Sequence, residues 1–372
     1  MAELRVQAGA VVALRLFDVA DTIDLGQAER LWLQRAGNAA SRSRLSATPS
    51  KAVAFDVPPV VLVLEPTRIE IDGTAVDVSV SARLYDFGVV ALSLRAPVAD
   101  LDWIAFTRFF NSLDGVVGPA APQAIWDSLL TRVLDVLAPA LTRPSQNRLQ
   151  EDYLLAIVQR WESPLTAAEL LERVDLVPLL SGEKRALAEG ARRDLLRQRY
   201  SYYEDDLVVL TWDRAFICEP RSDSDVADVL EVANAQLLEL RYYDELLDDE
   251  LPRMYDLVQA TRRTRHLFAP RRFADLARRL YTLVAEVTEL TERVDNALQV
   301  TEDVYLARIY TSALELFRVP AVGDAVNRKL AIVRDTYAAL YDEASDARGQ
   351  LMELAVVILI LIEIGIALLR HG

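Results

Sequence analysis

The chain has 372 residues, 52% of them apolar, and a formal net charge of -15. That length can bury a large core and suits two domains, while the acidic balance argues against a general nucleic-acid binder, because a phosphate backbone rewards the opposite sign. The lone cysteine, Cys218, excludes an internal disulfide and fits a reducing compartment.

The N-terminus MAELRVQAGAVVALRLF alternates like a strand and lacks the basic region and cleavage signal of a secretory peptide; no Arg/Ser-rich leader precedes it either. Val- and Leu-rich runs at 11–20, 51–66 and 68–97 read as strands, and Asp72-Gly73 between two alternating runs signals a hairpin. Helical periodicity appears over 27–36, 100–113 and 122–141, with a polar loop at 37–50. Residues 163–198 read as short helices broken at Pro178 and Gly182, and 199–220 as two strands with a turn near Glu204–Asp206.

From Ser222 the pattern is helical. One amphipathic helix is expected to stop before Pro252. The next, over 272–316, carries a heptad register that includes Leu280, Leu283, Val287 and Leu290. The register resumes after a turn at 318–324, in a helix over 324–350 with Leu330, Val333, Tyr337 and Leu340. These seams predict an antiparallel, coiled-coil-like hairpin.

The chain ends in LMELAVVILILIEIGIALLRHG, apolar from Leu354 to Leu369 except for Glu363. A helix over that run would rise ~24 Å against a hydrocarbon core of ~30 Å. Being apolar on every face, it reads as a transmembrane anchor, with a buried core helix as the alternative. A carboxylate at mid-span costs roughly 2.5–3.5 kcal/mol on insertion scales, so Glu363, beside Gly365, is expected at an oligomer contact within the membrane.

The runs at 230–251, 303–317 and 326–366 resemble the "required for meiotic nuclear division" family. Met352-Glu353-Leu354 and Glu363-Ile364 match its terminal steps, and the stretches at 11–31 and 82–94 are similar to its opening strand-helix and Gly-containing strand. The resemblance implies membrane anchoring through the terminal segment and self-association. The mitochondrial members have a translation-related role, which does not carry over directly to a chain without a mitochondrial leader, and no enzymatic activity is established for the family.

Little in the chain points to chemistry. His266 and His371 are the two histidines, too few for a zinc site or a Ser-His-Asp triad. Ser181-Gly-Glu-Lys184 is too short to wrap phosphates, and no Gly-x-Gly-x-x-Gly occurs. Asp244, Glu245, Asp248, Asp249 and Glu250 could hold a divalent cation or form a solvated helix face. Arg262, Arg263, Arg265, Arg271 and Arg272 could meet an anionic lipid or an RNA-bearing partner, or pair with the acidic helix upstream.

The expected fold class is therefore α+β: an N-terminal mixed strand/helix domain over 1–220, a helical hairpin over 222–350 and a transmembrane helix over 351–370. Arginine far outnumbers lysine, which suggests a GC-rich bacterial genome. The expected function is a tail-anchored scaffold or tether of the bacterial inner membrane, with its bulk in the cytoplasm. It would self-associate as a homo-oligomer, present its N-terminal domain to an unknown cytosolic protein, and use no cofactor and no metal. The competing reading is an enzyme or small-ligand-binding protein with Asp213, Arg214 and the Tyr200, Tyr202, Tyr203 group at a pocket.

Overall fold

The computed structural model describes residues 4–36, 40–42, 53–55, 57–145, 149–221, 225–262, 298–300 and 304–371, and, between 263 and 297, residues 278, 281, 282, 284, 285, 287 and 288. In chain order the elements begin with β1 (Arg5–Asp18), β2 (Ala20–Ile23), α1 (Leu25–Ala36), β3 (Ala40–Arg42), β4 (Val53–Phe55), β5 (Val60–Ile71), β6 (Thr74–Leu84) and β7 (Val89–Asp102). Next come α2 (Trp103–Val117), α3 (Ala124–Leu137), β8 (Leu141–Pro144), β9 (Gln150–Trp161), α4 (Ala167–Arg173), α5 (Val177–Ser181) and α6 (Glu189–Leu195). The rest are β10 (Arg199–Tyr200), β11 (Leu207–Leu210), β12 (Arg214–Cys218), α7 (Val226–Arg262), β13 (Leu298–Val300), α8 (Val304–Leu316) and α9 (Val319–His371).

The chain is a mixed α/β protein built on a nine-stranded sheet of order β10-β11-β12-β9-β1-β7-β6-β5-β3. Its pairings are antiparallel except that of β12 with β9. Asp72 and Gly73 both take positive φ, 50° and 74°, at the turn joining β5 to β6, the conformation that a two-residue hairpin turn demands. Pro66 lies inside β5, where the register shifts between Leu64 and Thr67; an irregular step tolerates a residue that cannot donate to the ladder.

The centre of the sheet is covered on both faces. From Val11 to Asp18 every residue of β1 is buried. Val11, Ala13, Leu92, Leu94, Leu154 and Ala156 share one core with Phe106, Phe110 and Leu113 of α2 and Trp126, Leu130 and Val133 of α3. The alternate residues Val12, Leu14 and Leu16 are buried too. On their side Tyr85 donates to Glu231 of α7 at 2.9 Å, and the Tyr153 ring meets Phe317, after α8, edge-on at 5.2 Å. Burial on both faces also explains why β9 escapes a sequence reading: Tyr153 to Val158 is one unbroken buried run, without the alternation that marks a half-exposed strand.

Local capping agrees with the packing. Asp102 is the N-cap of α2, its Oδ1 accepting from the Ala105 amide at 2.7 Å. Asp102→Ala should cost about 1 kcal/mol in a urea unfolding titration; an unchanged midpoint would show that the cap is dispensable.

The chain divides into two compact units, Met1–Glu239 with Arg293–Pro320, and Leu240–Glu292 with Ala321–Gly372. In the second unit Tyr243, Leu247 and Met254 of α7 form one apolar cluster with Val287 and with Val326, Leu330 and Val333 of α9. Lys329 reaches the carboxylates of Asp244 and Asp248, each at 2.7 Å.

The helical expectations are corrected at several points. The helix expected over 272–316 is interrupted by β13, which pairs with β4, before α8 begins. The α9 seam also packs on α7, so it is not a simple two-arm hairpin. Helix α7 does not stop at Pro252 but runs through it to Arg262; Met254, beyond the proline, is buried in the α7–α9 cluster, and such packing can hold a helix that has lost one backbone bond. The turn expected at 318–324 is shorter, with Pro320 inside the first turn of α9, where its missing N–H would have no helical partner.

The membrane expectation is also overturned. Among the described residues no helix is long and apolar enough to cross a membrane. The α+β architecture with a C-terminal transmembrane helix, the tail anchor and the single-span inner-membrane location are therefore withdrawn. The terminal run is the end of the 53-residue helix α9; its sixteen residues would rise only ~24 Å, short of the hydrocarbon core, and Glu363 interrupts them.

Candidate functional site

A cavity of about 760 Å³ opens in the first unit where the starts of β9 and β12, the end of α2 and the turn after α8 come together. Its organising residue is Arg214, the first residue of β12 and 7% exposed. Arg214 Nη2 donates to Asp114 Oδ2 at 2.6 Å and Nε to Asp213 Oδ2 at 3.2 Å. Nη1 donates to Asn111 Oδ1 at 2.8 Å and to the Leu179 carbonyl at 3.2 Å. The guanidinium also lies 5.8 Å from the centre of the Phe110 ring. Held by so many bonds, it fixes two carboxylates at the cavity wall.

Two glycines leave room for this pairing. Gly182, the C-cap of α5 at φ +65°, would place a Cβ only 2.7 Å from Arg214 Nη2. A Cβ at Gly118 would lie 2.1 Å from Asp114 Oδ1. The tyrosine hydroxyl of Tyr153 donates to the carbonyls of Thr211 and Arg214, both at 2.9 Å, and so ties the 211–214 turn to β9.

The wall continues through Glu151 and Asp152 at the start of β9, with Asp152 opposite Arg15 in the β1–β9 register. Arg15 is 2% exposed, its Nη2 donating to the Val117 carbonyl at 3.1 Å and its guanidinium 5.5 Å from the centre of the Trp126 ring. Burial lowers its pKa, opposed by the charges of Asp152, Asp114 and Glu151. Burial likewise holds Asp114 above the ordinary carboxylate range, opposed by Arg214 and reinforced by Asp213. Asp152 is raised by burial against the pull of Arg15.

The remaining lining is Pro119, Leu154, Trp212, Asn234, Leu237, Leu316, Phe317 and Arg318. Trp212 is 72% exposed, at the rim. Asn234, 2% exposed on α7, has an Nδ2 with no hydrogen-bond acceptor among the described residues. Arg318 sits at φ +59° in the turn between α8 and α9, a conformation uncommon for a side-chain-bearing residue and enriched where function requires it.

Asp213 and Arg214, nominated from the sequence, both line the cavity; Tyr200, Tyr202 and Tyr203 do not. Tyr200 instead bonds Ser312, and Tyr202 meets Tyr203 edge-on and Tyr305 at a tilt. Sequence reading missed Asp114, Asp152, Arg15 and Asn234. Arg15, a lone cation within an apolar strand, was the one visible signal. Cys218 is buried, its pKa raised to about 11 by burial, with the Trp161 indole donating to its sulfur at 3.3 Å.

Among the described residues no group of three or more His, Cys, Asp or Glu is placed to hold a metal ion. In the acidic helix Asp244 and Asp248 are engaged by Lys329. Of the expected seam, Val287, Leu330 and Val333 are buried, while Leu280, Leu283 and Leu290 lie outside the described residues, as do Arg263, Arg265, Arg271 and Arg272. Arg262 ends α7; Tyr337, Leu340, Glu363 and Gly365 fall within α9. A basic concavity of about 530 Å³, lined by Arg192, Arg193, Arg197 and Arg199 with Glu189 and Leu196, went unnoticed in the sequence.

Residues 8–225 match the family model described as "Uncharacterized protein MJ0711, N-terminal domain". The chain belongs to this family. The match includes β9, β12, Arg15, Asp114, Asp152, Asp213 and Arg214, and ends before α7. The chain is 24% identical over 243 residues to "Uncharacterized protein MJ0711" of Methanocaldococcus jannaschii, covering 65% of this chain and 73% of that protein. No solved structure matches the chain. Membership of the MJ0711 N-terminal domain family replaces the resemblance to the "required for meiotic nuclear division" family. That resemblance was strongest after Ser222, where amphipathic helices supply repeating apolar patterns that unrelated helical chains share.

Proposed function

We propose that the N-terminal unit is a binding module for a small ligand that carries a protonated amine. The carrying observation is the cavity's lining: four carboxylates, Asp114, Glu151, Asp152 and Asp213, against two arginines, Arg214 and Arg318, with Leu154, Leu237, Leu316 and Phe317 beside them. A concave, partly apolar site with convergent polar groups and perturbed acids is the usual form of a small-molecule site. An excess of acids favours a cation, and Trp212 at the rim adds an aromatic face.

Isothermal titration calorimetry with 3-methylbutylamine tests this. Asp152→Asn should weaken binding about tenfold, the loss of one charge-assisted contact. Asp114 and Asp152 are held above the ordinary carboxylate range, so affinity should rise with pH as they lose their protons. Equal binding of the uncharged isostere 3-methylbutanol would defeat the proposal.

A scaffold that self-associates is a second reading, supported by Val356, Val357, Leu359, Ile360 and Ile362, which α9 exposes at 49–64%. Light scattering should then give a mass above the 41.6 kDa of one chain, and Leu359→Glu with Ile360→Glu should return it to that value. A monomer at micromolar concentration would count against this reading.

A further inference from the structure

We infer that the ligand is an α-amino acid or the amino end of a short peptide, whose ammonium group meets the carboxylates and whose adjacent carbonyl or carboxylate oxygen meets Asn234. The inference rests on the amine-binding reading above and adds the second half of the ligand. Its starting point is the Asn234 side chain, which is 2% exposed, lines the cavity and has no acceptor for Nδ2 among the described residues. A buried amide donor left unpaired is costly and rare, so a group that enters this cavity and supplies an oxygen removes that cost.

The two kinds of polar group come from different elements. The acids belong to α2, to the start of β9 and to the 211–214 turn; the donors, Asn234 and Arg318, belong to α7 and to the turn between α8 and α9. Arg214 also lines the cavity, but its guanidinium is already engaged by Asp114, Asp213, Asn111 and Leu179. Among the described residues no acid is paired with Arg318, which adds a positive charge suited to a carboxylate. A simple amine would satisfy the acids and leave Asn234 unpaired. A free fatty acid would meet Asn234 and Arg318 but bring a further negative charge beside the four carboxylates. A molecule with an ammonium group next to an acceptor answers both. Leu154, Leu237, Leu316 and Phe317 then receive an apolar side chain. At about 760 Å³ the cavity has room for more than one residue, which is why a peptide end belongs to the same class.

Calorimetric titration of the full chain with 3-methylbutylamine, leucine and leucyl-leucine separates the possibilities. Leucine, leucyl-leucine or both should bind about tenfold tighter than the amine, the gain expected from pairing one buried donor. Asn234→Leu should erase that advantage and leave the amine's affinity within about twofold. If Asn234→Leu does not fold, Asn234→Asp replaces it: a carboxylate there should strengthen binding of the amine and abolish the preference for leucine. Tighter binding by leucine alone or by leucyl-leucine alone would support the inference and say which source fits. If neither binds more tightly than 3-methylbutylamine, the inference is overturned while the amine-binding proposal stands. If none of the three binds the folded chain, both fall.

Discussion

Replacing Arg214 by methionine is expected to remove about 3–5 kcal/mol of folding stability at neutral pH. The side chain is nearly buried and joins Asp114, Asp213, Asn111 and the Leu179 carbonyl. Methionine would fill much of the same space and keep contact with Phe110, so the loss reports the charge and its bonds. Asp114 is already raised by burial, with Arg214 opposing the rise; without Arg214 its pKa should climb further. The variant's deficit should therefore shrink as pH falls and the carboxyl becomes neutral, and grow as pH rises. Urea unfolding at pH 5 and pH 8 measures this. A deficit below 1 kcal/mol at both would mean that the network is not structural.

Asp18→Asn is expected to stabilise the protein by about 2–4 kcal/mol at pH 8 and to leave it nearly unchanged at pH 4. Asp18 is 1% exposed at the end of β1, and Ser145 donates to its Oδ2 at 2.8 Å. Burial pushes its pKa up to about 7; the Ser145 bond opposes this and the charge of Asp21 adds to it. In the unfolded chain the group should titrate near 4. Between about pH 4 and about pH 7 the folded state thus holds a proton that the unfolded state has released. Stability present below the unfolded value is lost as pH rises toward about 7, and the loss is complete above it. Asparagine carries no charge at any pH, and its carbonyl oxygen can still accept from Ser145. Parallel stability curves for the two proteins across pH 4 to 8 would refute this account.

Asp213 and Arg214 could be nominated from the sequence because an adjacent acid and base beside apolar strands stand out against their neighbours. Their partners could not. Asp114 lies a hundred positions from Arg214, and Asp152 sits in a strand whose unbroken apolar run carries no period. Asn234 looks like any polar residue on an amphipathic helix. Only the burial of the start of α7, where Asp225, Glu231, Asn234, Gln236 and Glu239 are all enclosed, makes its missing acceptor informative.

By itself the sequence determined the local steps, the Asp72-Gly73 turn, the alternating strands and the burial of Leu330 and Val333 on one helix face, together with a net charge of -15. Those features depend on residues within a few positions of one another, or on composition alone. The apolar heptads beyond Ser222 misled because a period states that a face is buried and not against what; α9 meets α7 as well as the segment at Val287. The tertiary structure decided the sheet order, the two-faced burial of β9 and the cavity. That site joins residues near 114, 152, 213, 234 and 317, and no local pattern encodes a meeting of segments so distant, because it arises only when each strand and helix has found its place in the packed core.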